Sequence, residues 1–125
     1  MIKTAYDEAV PYITKDGTTI RELMHPQVHG NDRQGLAEAI LPPGAHSILH
    51  RHLDSEELYH ILDGQGLLTL GGETTTVAAG DTICIPPGTP HRVLNTGTGP
   101  LRFLCCTAPP YTHEQTQLIG ADGRP

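Results

Sequence analysis

The chain has 125 residues and a net charge of −6 at pH 7, with only eight Lys plus Arg. These basic residues are dispersed singly, which argues against nucleic acid as a partner, because phosphate binding relies on clustered basic side chains. No run approaches the ~18 consecutive apolar residues of a membrane helix, and the N-terminal MIKTAYDEAV lacks the apolar segment of a signal peptide. We therefore expect a cytoplasmic protein with no membrane partner.

Frequent turn residues, 14 Gly and 11 Pro, predict short strands joined by tight connections. In chain order, TTIREL predicts an early strand and HPQVHGNDRQG a loop. Further strands are predicted near 36–41, 45–52, 57–62, 66–70, 73–77, 82–85, 91–95 and 101–107. Thr112 and Gln115 favour a short C-terminal helical turn, and GADGRP a loose tail. The regular spacing predicts an all-β barrel or sandwich.

The predicted core is aliphatic, since Trp is absent and Phe103 is the one Phe. It draws on apolar strand residues such as Leu36, Ile40, Ile48, Ile61, Leu68, Leu70, Ile83, Ile85, Val93, Leu101 and Phe103. Cys84, Cys105 and Cys106 have no zinc-like spacing and fit reduced thiols in or near the core.

Three histidines and one glutamate carry the strongest functional signal. His50 and His52 are two residues apart, so on a strand they project to one face. Glu57 follows a polar turn that brings the next strand back, and His91 follows the turn PPGTP. Burying four such groups without a partner costs roughly several kcal/mol each, a penalty that a bound metal ion removes. The pattern indicates a divalent metal site with open coordination positions.

These two stretches resemble the two sequence motifs of the cupin family. The first motif matches Gly44, His50, His52, Glu57 and Gly64. Glu57 is preferred over Glu56, which would leave seven residues before the final glycine where the motif has six. The second motif matches Gly80, Pro86, Gly88, His91 and Asn95. The resemblance covers residues 36–107 and points to small single-domain cupins of the mannose-6-phosphate isomerase-like, type 2 group.

The resemblance implies one cupin domain over residues 1–125, a jelly-roll-like double-stranded β-helix. Its barrel would span residues 36–107, preceded by an N-terminal strand and loop (1–35) and followed by a C-terminal tail (108–125). The resemblance also implies one divalent transition metal ion (Fe, Mn, Ni, Zn, Co or Cu) on His50, His52, Glu57 and His91. A small open barrel has edges, so we expect a homodimer in which residues before Gly35 pair with a second copy.

Three further residues are candidates for the cavity around the ion. Tyr59 shares strand parity with Glu57, so it either supports the site as a catalytic or ligand-orienting group or is simply a core residue. His46 shares parity with His50 and His52, but a bend at Gly44 could break that register. Glu38 is either a buried pocket acid or a sign that the opposite strand face points inward.

Three functions fit this pattern. The first is a metal-dependent enzyme acting on a small oxygenated organic acid, diketone or sugar derivative, by dioxygenase or by isomerase or lyase chemistry through an enolate. With one carboxylate the site carries a charge near +1, which suits an anionic or polyoxygenated substrate. The alternatives are a non-catalytic sugar- or acid-binding module and a metal-stabilised structural barrel.

Overall fold

The computed structural model describes residues 1–120. Strands in this part of the chain are β1 (Tyr12–Ile13), β2 (Thr19–Met24), β3 (Gly35–Leu41), β4 (His50–His52), β5 (Glu56–Asp63), β6 (Gln65–Leu70), β7 (Glu73–Ala78), β8 (Thr82–Ile85), β9 (His91–Asn95), β10 (Leu101–Ala108) and β11 (Thr116–Leu118). Single helical turns occur at Tyr6–Glu8 and at Pro26–His29 (α1). No helix among residues 1–120 is long and apolar enough to cross a membrane.

The strands form two antiparallel sheets. One has the order β1-β2-β3-β10-β5-β8 and the other the order β11-β4-β9-β6-β7. From β3 onward the chain passes from one sheet to the other at every step except the β6–β7 hairpin. Such alternation winds both sheets around a common interior and confirms the predicted double-stranded β-helix.

Side chains from both sheets fill this interior. The apolar side chains that are almost completely buried are those of Phe103, Leu41, Ile61, Leu68, Ile85, Leu101 and Val93. In β5 the buried residues alternate with more exposed ones, so Glu57, Tyr59 and Ile61 face inward, as strand parity predicts. Glu57 lies opposite Ile85 in β8, and Tyr59 lies opposite Cys105 in β10. The same alternation that builds the core therefore delivers Glu57 to the interior.

Three predicted core residues lie elsewhere. Ala39 and Leu41 supply the inward face of β3, so Leu36 and Ile40 on the other face are only half-buried. Ile48 is 42% exposed, because the predicted strand over 45–52 is regular only at its end, His50–His52. Of the three cysteines, Cys105 is buried and Cys106 is partly buried, but Cys84 is exposed, contrary to the prediction.

The two ends of the described chain add strands to the sheets. β2 pairs with β3 in the same chain, so this edge of the sheet is covered without a second copy. At the other end, Gln115 donates its backbone N–H to Oγ1 of Thr112, as the predicted cap requires, but the turn leads into β11 and not into a helix. Of the predicted tail 120–125, residues 121–125 lie outside the described part of the chain.

Candidate metal centre

Two strands of one sheet bring the histidines together. His50 and His52 are both buried on β4, and His50 lies opposite His91 in the β4–β9 register. The intervening Arg51 faces away and donates to Gln117, as strand alternation requires. The predicted convergence of the three imidazoles is observed. One ligand atom from each lies within 4.8 Å of the others, an arrangement able to hold a metal ion.

Hydrogen bonds at Nδ1 fix the orientation of each ring. Nδ1 of His50 lies 2.7 Å from the carbonyl oxygen of Ile48, and Nδ1 of His91 lies 2.9 Å from that of Thr89. A carbonyl can only accept, so both Nδ1 atoms carry hydrogen, which leaves Nε2 as the nitrogen of each ring that can bind a metal ion. Orienting a metal-binding imidazole through its other nitrogen is the usual role of such partners.

The third imidazole, His52, is oriented by a hydroxyl group. Its Nδ1 lies 3.0 Å from Oγ1 of Thr116. That hydroxyl already donates to the carbonyl oxygen of Thr112, so it accepts from the ring. Nε2 is therefore also the nitrogen of His52 that can bind a metal ion. Thr116 is a functional residue that the sequence did not reveal, since it reaches the site through the pairing of β11 with β4.

Glu57 approaches two of these imidazoles from the opposite sheet. Its Oε1 lies 3.2 Å from Nε2 of His52 and 3.3 Å from Nε2 of His91. Within the described residues, Oε1 of Glu57 and Nε2 of His91 are buried and have no hydrogen-bond partner. Buried acceptors facing one another are costly unless a cation lies among them. The four predicted residues thus fit a divalent metal ion.

Burial and close packing shift the ionisation of this cluster. Burial, and then the charge of His91, lower the pKa of His50 to about 4. Burial alone would raise the pKa of Glu57, but hydrogen bonds and positive charge from His52 and His91, in their protonated forms, outweigh it and lower that pKa to about 2. At neutral pH the site therefore contains a neutral His50 and an ionised Glu57, the protonation states that metal ligands require.

We expect the metal-free protein to lose stability on acidification from pH 6.5 to pH 4. His50 has a lower pKa when folded than when unfolded, so the unfolded chain binds more protons in this range and is favoured as pH falls. At 1.36 kcal/mol per pH unit, the loss is on the order of 3 kcal/mol. Urea unfolding across this range measures it. His50→Gln should make the free energy of unfolding less dependent on pH in this range, whereas His46→Gln, at an exposed position, should leave that dependence unchanged. Identical pH dependence in His50→Gln and wild type would contradict this account.

An aspartate absent from the sequence prediction also reaches the cluster. Asp16 lies in the turn between β1 and β2, and its Oδ2 is 3.1 Å from Nε2 of His50. In the sequence, Asp16 and Gly17 form an Asp-Gly pair, which indicates only a turn. A second carboxylate therefore lies beside the cluster, and the charge near +1 expected from the sequence did not include it.

A cavity opens beside the cluster. Its volume is about 50 Å³, enough for a few water molecules or a small organic ligand. His50, His52, Glu57 and Tyr59 contribute to its wall together with Asp16. Among residues 1–120, no lysine or arginine lines this cavity.

The structure also places the other three candidates. Tyr59 lines the cavity, with its ring packed 4.7 Å from Phe103 and 5.9 Å from His91. His46 is exposed outside the cavity, because an irregular segment before β4 breaks the register with His50. Glu38 is buried on the outer face of β3, where Arg102 and the Tyr6 hydroxyl bind it. The opposite face of β3, with Ala39 and Leu41 in the core, is the inward one.

Family comparison agrees with the fold. The family model for the cupin domain matches residues 37–107. The chain therefore belongs to the cupin family.

Individual relatives extend this comparison. An uncharacterized protein of Methanocaldococcus jannaschii is 55% identical over 119 residues, 95% of each chain. An oxalate-binding protein of Thermotoga maritima is 36% identical over 84 residues, 67% of this chain and 65% of the relative. The crystal structure of a predicted oxalate decarboxylase from Thermotoga maritima matches with a TM-score of 0.73 at 29% identity, covering 84% of this chain and 96% of that one.

Proposed function

We propose that this cupin binds one divalent transition metal ion and is an enzyme that transforms a small oxygenated organic molecule. His50, His52, His91 and Glu57 would hold the ion. One observation carries the proposal: three imidazoles oriented through Nδ1 direct their Nε2 atoms, with Oε1 of Glu57, into a buried cluster beside a cavity. Since two of these atoms lack hydrogen-bond partners, a cation accounts for their burial.

The size of the cavity restricts the substrate. A cavity of about 50 Å³ suits a small organic acid, diketone or sugar fragment better than a large polycyclic molecule. The oxalate-binding relative supports a ligand in this size range. A divalent ion would supply Lewis acidity that stabilises an enolate, or redox chemistry if iron or manganese were bound. The reaction is therefore an enolate-dependent isomerisation or elimination, or an oxidative cleavage.

Tyr59 is the side chain best placed to act on the substrate together with the ion. Burial, and then the charge of Glu57, raise the pKa of Tyr59 well above its ordinary value. Its hydroxyl therefore stays protonated and can donate a hydrogen bond to Glu57 or to a substrate oxygen in the cavity. Donors that meet developing negative charge are typical of such sites.

Proton exchange tests the enzymatic function even while the product is unidentified. Metal-loaded protein in D₂O is incubated with small hydroxy acids, diketones and hydroxyaldehydes, and deuterium entry next to the carbonyl is followed by NMR while an electrode records oxygen uptake. We expect wild type to show exchange or uptake with one of these classes and His52→Ala to show neither. Equal activity in both proteins would rule out the proposal.

Replacing Tyr59 with phenylalanine should slow turnover and spare metal binding. The variant keeps the packing on Phe103 but removes the hydroxyl, so we expect kcat to fall about 10- to 100-fold. The metal dissociation constant should stay close to that of wild type. Tyr6→Phe, which removes a hydroxyl bound to Glu38 outside the cavity, is the matched control. Wild-type kcat in Tyr59→Phe would exclude this role.

A non-catalytic binding protein is the second candidate, favoured by the oxalate-binding relative. It predicts that a small acid raises the melting temperature of the metal-loaded protein while exchange and oxygen uptake stay absent. A purely structural metal site is less well supported, because the cavity gives ligands access to His50 and His52.

The homodimer stays a prediction, as does the division of the chain into a barrel at 36–107 with two flanking segments.

A further inference from the structure

Asp16 approaches the metal centre from a part of the chain outside both cupin motifs. It belongs to the turn between β1 and β2, and only 14% of its side chain is exposed. We propose that Asp16 is a further ligand of the metal ion, so that two carboxylates and three imidazoles surround it. This inference rests on the proposed metal site and adds a residue to it.

The turn holds the Asp16 carboxylate in one orientation. Oδ1 accepts hydrogen bonds from the Thr14 hydroxyl, at 2.6 Å, and from the backbone N–H of Thr18, at 3.0 Å. The backbone carbonyl of Asp16 accepts from the N–H of Ile48 at 2.7 Å, only two residues before His50. With Oδ1 occupied and the turn tied to the segment that enters β4, Oδ2 is directed at the imidazole of His50.

The contact between Asp16 and His50 joins two hydrogen-bond acceptors. Nδ1 of His50 donates to the carbonyl of Ile48, so Nε2 of the neutral ring has a lone pair and no hydrogen. The Oδ2 atom of Asp16 lies 3.1 Å from this nitrogen, a separation that repels unless a positive charge lies between them. Glu57 meets His52 and His91 in the same way, at 3.2 Å and 3.3 Å.

These separations are those expected of neighbouring ligands on one ion. Nitrogen and oxygen ligands about 2.0–2.2 Å from a metal, at tetrahedral to right angles, lie roughly 2.8–3.6 Å apart. The Asp16–His50 contact falls within that range, as do both contacts of Glu57. Asp16 therefore approaches one imidazole, His50, at the distance at which Glu57 approaches the other two.

A second carboxylate changes what the centre can accept. Three neutral imidazoles and two carboxylates cancel the charge of a divalent ion, and five protein ligands leave one position free in a six-coordinate site. No lysine or arginine within residues 1–120 lines the cavity to restore positive charge. The substrate class favoured by this site is therefore a neutral or singly charged oxygenated molecule, bound through one oxygen, and not a dianion held through two. The oxalate-binding relative then supports the size of the ligand and not its charge.

Three variants separate this inference from the proposed function. Dissociation constants for Mn²⁺ and Zn²⁺ are measured by competition with a chromophoric chelator in wild type, Asp16→Asn, Glu22→Gln and His52→Ala. Glu22 is the matched control, since its carboxylate lines the same cavity but is bound by the Tyr12 hydroxyl. We expect Asp16→Asn to raise both constants at least about tenfold, and Glu22→Gln to change them less than about twofold.

The metal-free protein provides an independent readout. In Asp16→Asn the amide can donate to Nε2 of His50, so the apo variant should melt at or above the wild-type temperature while binding metal more weakly. Unchanged constants in Asp16→Asn, or an equal change in Glu22→Gln, would overturn the role of Asp16. If His52→Ala binds Mn²⁺ and Zn²⁺ as tightly as wild type does, the proposed metal site is wrong, and the proposed function with it.

A crystal structure of the Mn²⁺-loaded wild-type protein settles the ligand set even if a variant does not fold. We expect Oδ2 of Asp16 within about 2.3 Å of the ion. A separation beyond about 3 Å, with a water molecule or the His50 ring between them, would overturn the inference and leave the proposed function intact.

Discussion

His52→Ala is expected to weaken metal binding by more than about 100-fold. Loss of a residue that merely orients a ligand typically costs 10- to 100-fold in affinity, and His52 is proposed to be a ligand itself. The variant also leaves Glu57 without one of the two imidazoles beside its Oε1 atom. Competition titration with a chromophoric chelator measures the change.

Two controls separate ligation from general disruption. Thr116→Val removes the hydroxyl that orients His52, so it should weaken binding by an intermediate amount, about tenfold. His46→Ala removes an exposed imidazole outside the cluster and should leave affinity unchanged. If His52→Ala and His46→Ala bind metal alike, the three-imidazole centre is not the binding site.

Gly64→Ala is expected to destabilise the fold by about 3–5 kcal/mol, beyond the usual range for single substitutions. Gly64 has φ of +92°, and a Cβ there would lie 2.6 Å from the carbonyl oxygen of Pro100 and 3.0 Å from Cα of Leu101. Both contacts are with backbone, which cannot rotate away. At this glycine, the last position of the first motif, β5 turns into β6 directly against the residues that enter β10.

Gly80→Ala is the matched control for this prediction. Gly80 has a similar φ of +95°, but nothing lies within 4 Å of the position of its missing Cβ. It should therefore cost only the conformational penalty, about 1–2 kcal/mol. Urea unfolding of the metal-free proteins gives both values. Equal losses in the two variants would show that the contact with Pro100 is unimportant.

The sequence predicted those parts of the site that depend on local spacing. Residues two apart on a strand share a face whatever the rest of the chain does, which placed His50 with His52 and Tyr59 with Glu57 on inward faces. Turn residues marked the strand limits well enough that β8 and β9 match their predicted ranges. The cupin motifs then connected β4, β5 and β9 across intervals that periodicity cannot span.

The features that the sequence missed depend on contacts between distant segments. Thr116 orients His52 only because β11 pairs with β4, and Asp16 reaches His50 only because its turn is hydrogen-bonded to Ile48. Neither residue stands in a pattern that distinguishes it from an ordinary turn or strand residue. The inward face of β3 was also ambiguous, because burial of Glu38 under Tyr6 and Arg102 gives both faces of this strand buried positions.

The most direct test of the metal centre is the metal content of the native protein. The full chain is purified without chelators and without a metal-affinity tag, and its transition metals are counted by elemental analysis beside His52→Ala prepared in the same way. We predict close to one divalent transition metal ion per wild-type chain and almost none in the variant. A wild-type protein that carries no such ion, and binds none when Mn²⁺, Fe²⁺, Ni²⁺ or Zn²⁺ is supplied, would contradict the account.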